Sequence, residues 1–87
     1  MDVRKIVAYN LRRLRVSKLL SQEDLAVEAS IDRTYMSRLE RGLENPTVVV
    51  LDRLSTALEC DIRELFRPVE AGELALKPLK KGRKKQV

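Results

Sequence analysis

The side chains best equipped for chemistry crowd into positions 33–38, where Arg33, Thr34, Tyr35, Ser37 and Arg38 can all form hydrogen bonds. Wound as a helix, this stretch turns its apolar members Met36 and Leu39 to a different face. A helix that is apolar behind and guanidinium-rich in front suits docking against something polar and anionic, and the major groove of DNA is the leading candidate. Covalent chemistry has far less to work with. The chain holds no histidine and one cysteine, Cys60, which removes Cys-His and Ser-His catalysis, an internal disulfide framework and most metal sites. The reading is therefore a protein that is not an enzyme and needs no cofactor.

Eighty-seven residues allow one small domain, whose core is marginal enough that a partner subunit often helps. No apolar run approaches the length of a membrane span and no charged-then-apolar leader is visible, so the expected location is cytoplasmic, away from membranes. The net charge of +5 is unevenly spread: the last eleven residues carry +6, so residues 1–76 sum to −1. DNA affinity must then come from where the charges sit. Arg4, Lys5, Arg12, Arg13, Arg15 and Lys18 gather in the first helical stretch, while Glu23, Asp24, Glu28 and the region from Glu44 onward are acidic. One basic side and one acidic side are expected.

The elements that must position the polar helix follow from apolar spacing and capping signals. Val7, Leu11 and Leu14 recur at i, i+4, i+7 and predict an amphipathic helix from Val3 to about Lys18. Ser21 reads as an N-cap with Asp24 as its reciprocal partner and Leu20 stapling onto Leu25, opening a second helix from Gln22 to about Ala29. Asp32 caps a third, Arg33 to about Arg41, which Gly42 ends in the left-handed conformation. After Asn45-Pro46, Thr47 caps a fourth helix carrying Leu51, Leu54 and Leu58. Asp61 to Glu64 reads as a capping box for a short fifth helix ending near Phe66, before Pro68. The result is an all-α domain over 1–67, followed by a basic tail at 68–87 read as flexible and disordered when free. One amphipathic stripe cannot bury Val48, Val49 and Val50 together, so at least one should be exposed.

Gln22, Leu25, Ala26, Ile31, Met36, Leu39, Glu40, Gly42 and Pro46, in this order and spacing, resemble the helix-turn-helix family of the phage repressors and Cro, the XRE family. The stretch RTYMSRLERG, followed by Asn45-Pro46-Thr47, is similar in particular to the controller proteins of restriction-modification systems. The likeness spans about residues 3–66. It implies a five-helix, lambda-repressor-like DNA-binding domain that dimerises on a near-palindromic operator. Gln22 would touch a phosphate at the start of the second helix; Arg33, Thr34 and Arg38 would contact bases, and Tyr35 and Ser37 bases or phosphates. Asn45 joins this set of DNA-binding candidates. Arg15 and Glu40 match positions that pair between the first and third helices in relatives. The chain departs from the family where glycine is common, with Leu19, Ser30 and Glu59 at positions that favour a positive φ.

The expected function is thus a sequence-specific DNA-binding transcriptional regulator acting as a homodimer on double-stranded DNA, with RNA polymerase as a possible contact. An antitoxin that represses its own operon is the alternative. An RNA-binding role is disfavoured because Tyr9, Tyr35 and Phe66 are the only aromatic residues. Arg12 and Arg13 can be phosphate contacts or merely solvated. The terminal basic run can solubilise, follow DNA electrostatically or meet a membrane surface, with the DNA arm preferred.

Overall fold

Each helix begins where a short oxygen-bearing side chain can accept an otherwise unpartnered N–H. Asp2 Oδ1 accepts from the Arg4 amide at 2.8 Å, Asp32 from Tyr35 at 3.1 Å, and Thr47 Oγ1 from Val50 at 3.1 Å. At Ser21 the box is reciprocal: Ser21 Oγ accepts from the Asp24 amide at 2.9 Å, and Asp24 Oδ2 from the Ser21 amide at 3.1 Å. The computed structural model, which describes residues 2–70, accordingly contains α1 (Val3–Ser17), α2 (Gln22–Ala29), α3 (Arg33–Glu40) and α4 (Val48–Leu58).

The expected fifth α-helix is corrected to a 3-10 turn, Ile62–Phe66, so the described residues hold four α-helices, that turn and no strand. Arg67, restricted by Pro68, is already extended at φ −55°, ψ 133°, which leaves five residues between cap and stop. That is too short for an i+4 ladder to propagate, and the i+3 pattern takes over, with Glu64 N bonded to Asp61 O at 2.9 Å. The box expected at Asp61 is not formed either. Its carboxylate accepts from the Arg63 amide at 2.8 Å, and the Glu64 carboxylate stands 3.7 Å from Arg13. The expected tail lies, from residue 71 on, outside the described residues.

All four helices close in the same way. The first or second residue past the helix end takes a positive φ, its amide bonds back three residues, and the next amide bonds back five. This double closure occurs at Leu19, Ser30, Gly42 and Glu59, with φ of 60°, 59°, 73° and 56°. Three of the four turns are therefore made without glycine. At Gly42 glycine has a second reason, since a Cβ there would come within 3.3 Å of Lys5 Cγ.

The helices bury one contiguous core. Val7, Leu11 and Leu14 of α1 meet Leu25 and Ala26 of α2, Met36 and Leu39 of α3, Leu51, Leu54 and Leu58 of α4, and Leu65 of the turn. α1 packs on α3 and on the 3-10 turn, while α2 packs between α3 and α4. Asn10 gave no sequence signal, yet it is fully buried. Its Nδ2 donates to the carbonyls of Leu65 and Arg67 at 3.2 and 2.8 Å, tying α1 to acceptors that the short turn leaves open. Its Oδ1 in turn accepts from Arg13 Nη2 at 3.1 Å, so Arg13 is engaged within the fold. Val48 and Val49 are exposed and Val50 packs against the core, as the valine run required.

Candidate nucleic-acid interface

α3 is short because Asp32 starts it and Gly42 stops it, and Met36 and Leu39 fix its rotation by entering the core. Its remaining face is then dictated. Arg33, Thr34 and Arg38 are exposed, Ser37 is half-buried, and these four line a shallow cleft of about 290 Å³ with Gln22 and Arg41. The structure thus brings together five of the seven candidate residues. Tyr35 is half-buried and packs against the core instead; burial pushes its phenol up from the ordinary value, and the Glu44 carboxylate adds to the shift. Asn45 is exposed in the loop after α3 and does not line the cleft.

An ion pair that joins three helices is linked to the site through Gln22. Arg15 of α1 donates from Nε to Glu40 Oε2 at 2.5 Å and from Nη2 to Oε1 at 2.9 Å, while its Nη1 reaches the Leu20 carbonyl at 2.8 Å. Gln22 of α2 donates from Nε2 to Glu40 Oε1 at 3.0 Å. The side chains of Glu40 and Arg15 are 3 % and 12 % exposed, so a carboxylate out of water is held by one guanidinium and one amide. Gln22 keeps its second amide hydrogen beside the first turn of α2. Gln22 is the first residue of α2, the end at which the helix dipole is positive.

Two residues of this region escaped the sequence reading. Arg41 is the helical neighbour of Ser37 and Arg38, and its i+3 spacing from Arg38 was the available signal. Glu44 places Oε2 2.6 Å from Arg38 Nε; no local spacing rule announces a contact formed across a turn. A larger cleft, about 630 Å³ between α2 and α4, has Glu23, Asp24, Glu28 and Glu59 on its walls. Its charge opposes phosphate, in keeping with the expected acidic side. Among the described residues no group of acidic or cysteine side chains can hold a metal ion, and no helix is long and apolar enough to cross a membrane.

A short polar helix braced across a tight turn by a second helix, with a donor at the second helix's N-terminus, defines a helix-turn-helix DNA-binding module. Residues 11–65 match the model of the helix-turn-helix family, and the chain belongs to that XRE-like family. It is 43% identical over 70 residues to an uncharacterized HTH-type transcriptional regulator, y4dJ, of Sinorhizobium fredii, covering 80% of this chain and 91% of that one. Control protein C.MunI of a Mycoplasma species is 37% identical over 70 residues, covering 79% and 95%. The crystal structure of the restriction-modification controller protein C.AhdI from Aeromonas hydrophila superposes with a TM-score of 0.71 at 43% identity, covering 72% of this chain and 96% of that one. The protein is a transcriptional regulator of this DNA-binding type, similar to restriction-modification controller proteins, and its family is not one of enzymes.

Proposed function

We propose that the protein regulates transcription by binding a near-palindromic operator as a homodimer, each α3 entering one major-groove half-site. The observation that carries this reading is the cleft in which Gln22, Arg33, Thr34, Ser37 and Arg38 converge on one exposed face. Arg33 and Arg38 fork onto guanine O6 and N7, Thr34 offers a methyl to thymine, and Gln22 and Ser37 take phosphates. Tyr35, half-buried, contributes through its exposed edge, and Asn45 reaches the backbone beside the site. The dimension of the module supports pairing: its extents of 30 × 29 × 23 Å let two adjacent copies place their recognition helices one DNA turn apart, about 34 Å.

The second copy is assigned to the α4 side. Val48 and Val49 are 76 % and 59 % exposed and Phe66 is 44 % exposed, apolar surface that a second subunit would cover. The tail from Lys77 to Val87 adds affinity without sequence preference, by following the phosphate backbone. No observation favours the antitoxin alternative.

Selecting bound duplexes from a random pool tests the proposal. A selected site should contain two related half-sites, and Arg33→Ala should weaken it about 5- to 100-fold, the equivalent of losing one bidentate base contact, while barely affecting random DNA. Absence of any preferred sequence would defeat it. Val49→Glu should move sedimentation toward monomer without unfolding the domain, and truncation after Leu76 should flatten the salt dependence with the site preference unchanged.

A further inference from the structure

Among the described residues, Arg38 is the one candidate base-reading side chain that another side chain grips. It lies four residues before Gly42, on the exposed face of α3. At that turn the Leu43 amide bonds back to the Arg38 carbonyl at 3.0 Å, and Gly42 to Leu39 at 3.0 Å. The closure reverses the chain and brings residue 44 back over the helix it has just left. Glu44 is only about one quarter exposed at its side chain, at 27 %, against 47 % for Arg38, so the carboxylate is the better-anchored partner.

The geometry points to Glu44 as a positioning residue that sets how selectively Arg38 reads its base. This inference rests on the operator-reading role proposed above. A guanidinium has five N–H donors in a fixed fork, and the contact to Glu44 uses the Nε end. The terminal Nη groups take no acceptor among the described residues, and they are the pair whose spacing matches guanine O6 and N7. Clamping Nε stops the long side chain from sampling its other rotamers, so less conformational freedom is lost when the guanine is met. The same carboxylate has an opposite effect on random DNA. It places a negative charge at the protein–DNA face and diverts Arg38 from phosphates, which lowers sequence-independent affinity. Specificity is the ratio of the two, and Glu44 raises that ratio through both of them.

The test uses the full chain, one selected operator duplex and one scrambled duplex of equal length, at fixed salt. Glu44→Ala should weaken operator binding about 3- to 10-fold and strengthen scrambled binding about 2- to 5-fold. A loss of stability alone would move both affinities down together. Glu44→Gln retains an oxygen for Nε and should keep most of the operator affinity, yet share the gain on scrambled DNA. In an Arg38→Ala background, Glu44→Ala should no longer lower operator affinity. Exposed ion pairs contribute little to stability, so all these variants should stay folded. The inference is overturned if Glu44→Ala leaves the ratio unchanged or raises operator affinity, while Arg38→Ala still abolishes selectivity. Lack of a preferred duplex for the unaltered chain would instead remove the operator reading itself.

Discussion

Replacing Arg15 by methionine keeps the aliphatic stem and deletes the guanidinium, which isolates what the charge does. Glu40 would then remain at 3 % side-chain exposure with only the Gln22 amide at 3.0 Å as a donor. Breaking a buried pair from one side typically costs about 3–5 kcal/mol, because a charge is stranded without water or counter-charge. A domain of this size has roughly 4–10 kcal/mol in total, so the variant should be severely weakened. Glu40→Gln should be milder, about 1–2 kcal/mol, since an amide oxygen can still accept from Arg15 and the Leu20 carbonyl still holds Nη1 at 2.8 Å. The double change Arg15→Met with Glu40→Leu removes both charges together and should be more stable than Arg15→Met alone. Urea unfolding followed by far-ultraviolet circular dichroism gives each free energy, with an unchanged slope confirming a common unfolded state. With Glu40→Leu alone closing the cycle, additive losses and a coupling below about 0.5 kcal/mol would refute the interaction.

Leu19→Gly should stabilise the protein by about 0.5–1 kcal/mol, raising Tm by roughly 3–6 °C in a thermal melt, because φ is 60° there and the side chain is 91 % exposed. Ser17→Gly, within α1, should do the reverse, and equal effects at the two positions would contradict the strain assignment. The Asp2 carboxyl, held by hydrogen bonds from the Arg4 side chain and backbone, is lowered from 3.8 to about 2. Its contribution to stability is present above pH 3.8 and is lost as the pH falls toward 2, and Arg4→Ala should raise the carbon-detected NMR midpoint only part of the way to the ordinary value, because the backbone amide of residue 4 still donates. Cys60 is half-buried, with burial and then Glu64 pushing its thiol up, so alkylation at neutral pH should be far slower in the folded protein than in urea. A rate equal to that of the unfolded chain would show the thiol to be open.

Local chemistry announced most of the fold. Ser21, Asp32 and Thr47 cap the helices assigned to them, the leucines of α1 and α4 are buried at helical spacing, and Leu19, Ser30 and Glu59 adopt the positive φ that the family resemblance, rather than local chemistry, implied. These features are legible because cap, staple and closure each involve residues within about five positions of one another. The fifth element was misread for a related reason. Asp61 and Glu64 carry the right types for a box, but the outcome depended on Pro68 limiting the length, and a cap says nothing about how far a helix can run. Asn10 was silent because its partners lie 55 and 57 residues away, and they are backbone carbonyls that carry no mark in a sequence.

The site was legible in its residue types but not in their mutual restraint. Arg15, Gln22 and Glu40 were each noticed separately, two as an ion pair and one as a phosphate contact, whereas the structure joins all three through a single carboxylate. This union couples stability to recognition. Glu40, which Arg15 neutralises inside the fold, is also what holds the Gln22 side chain at the start of α2. A change at Arg15, which is mostly buried, is then expected to disturb DNA binding in the fraction of molecules that remain folded. Such an effect should fall on Gln22's partner phosphate and on operator and random DNA alike, in contrast to a change at Arg33, whose loss separates the two.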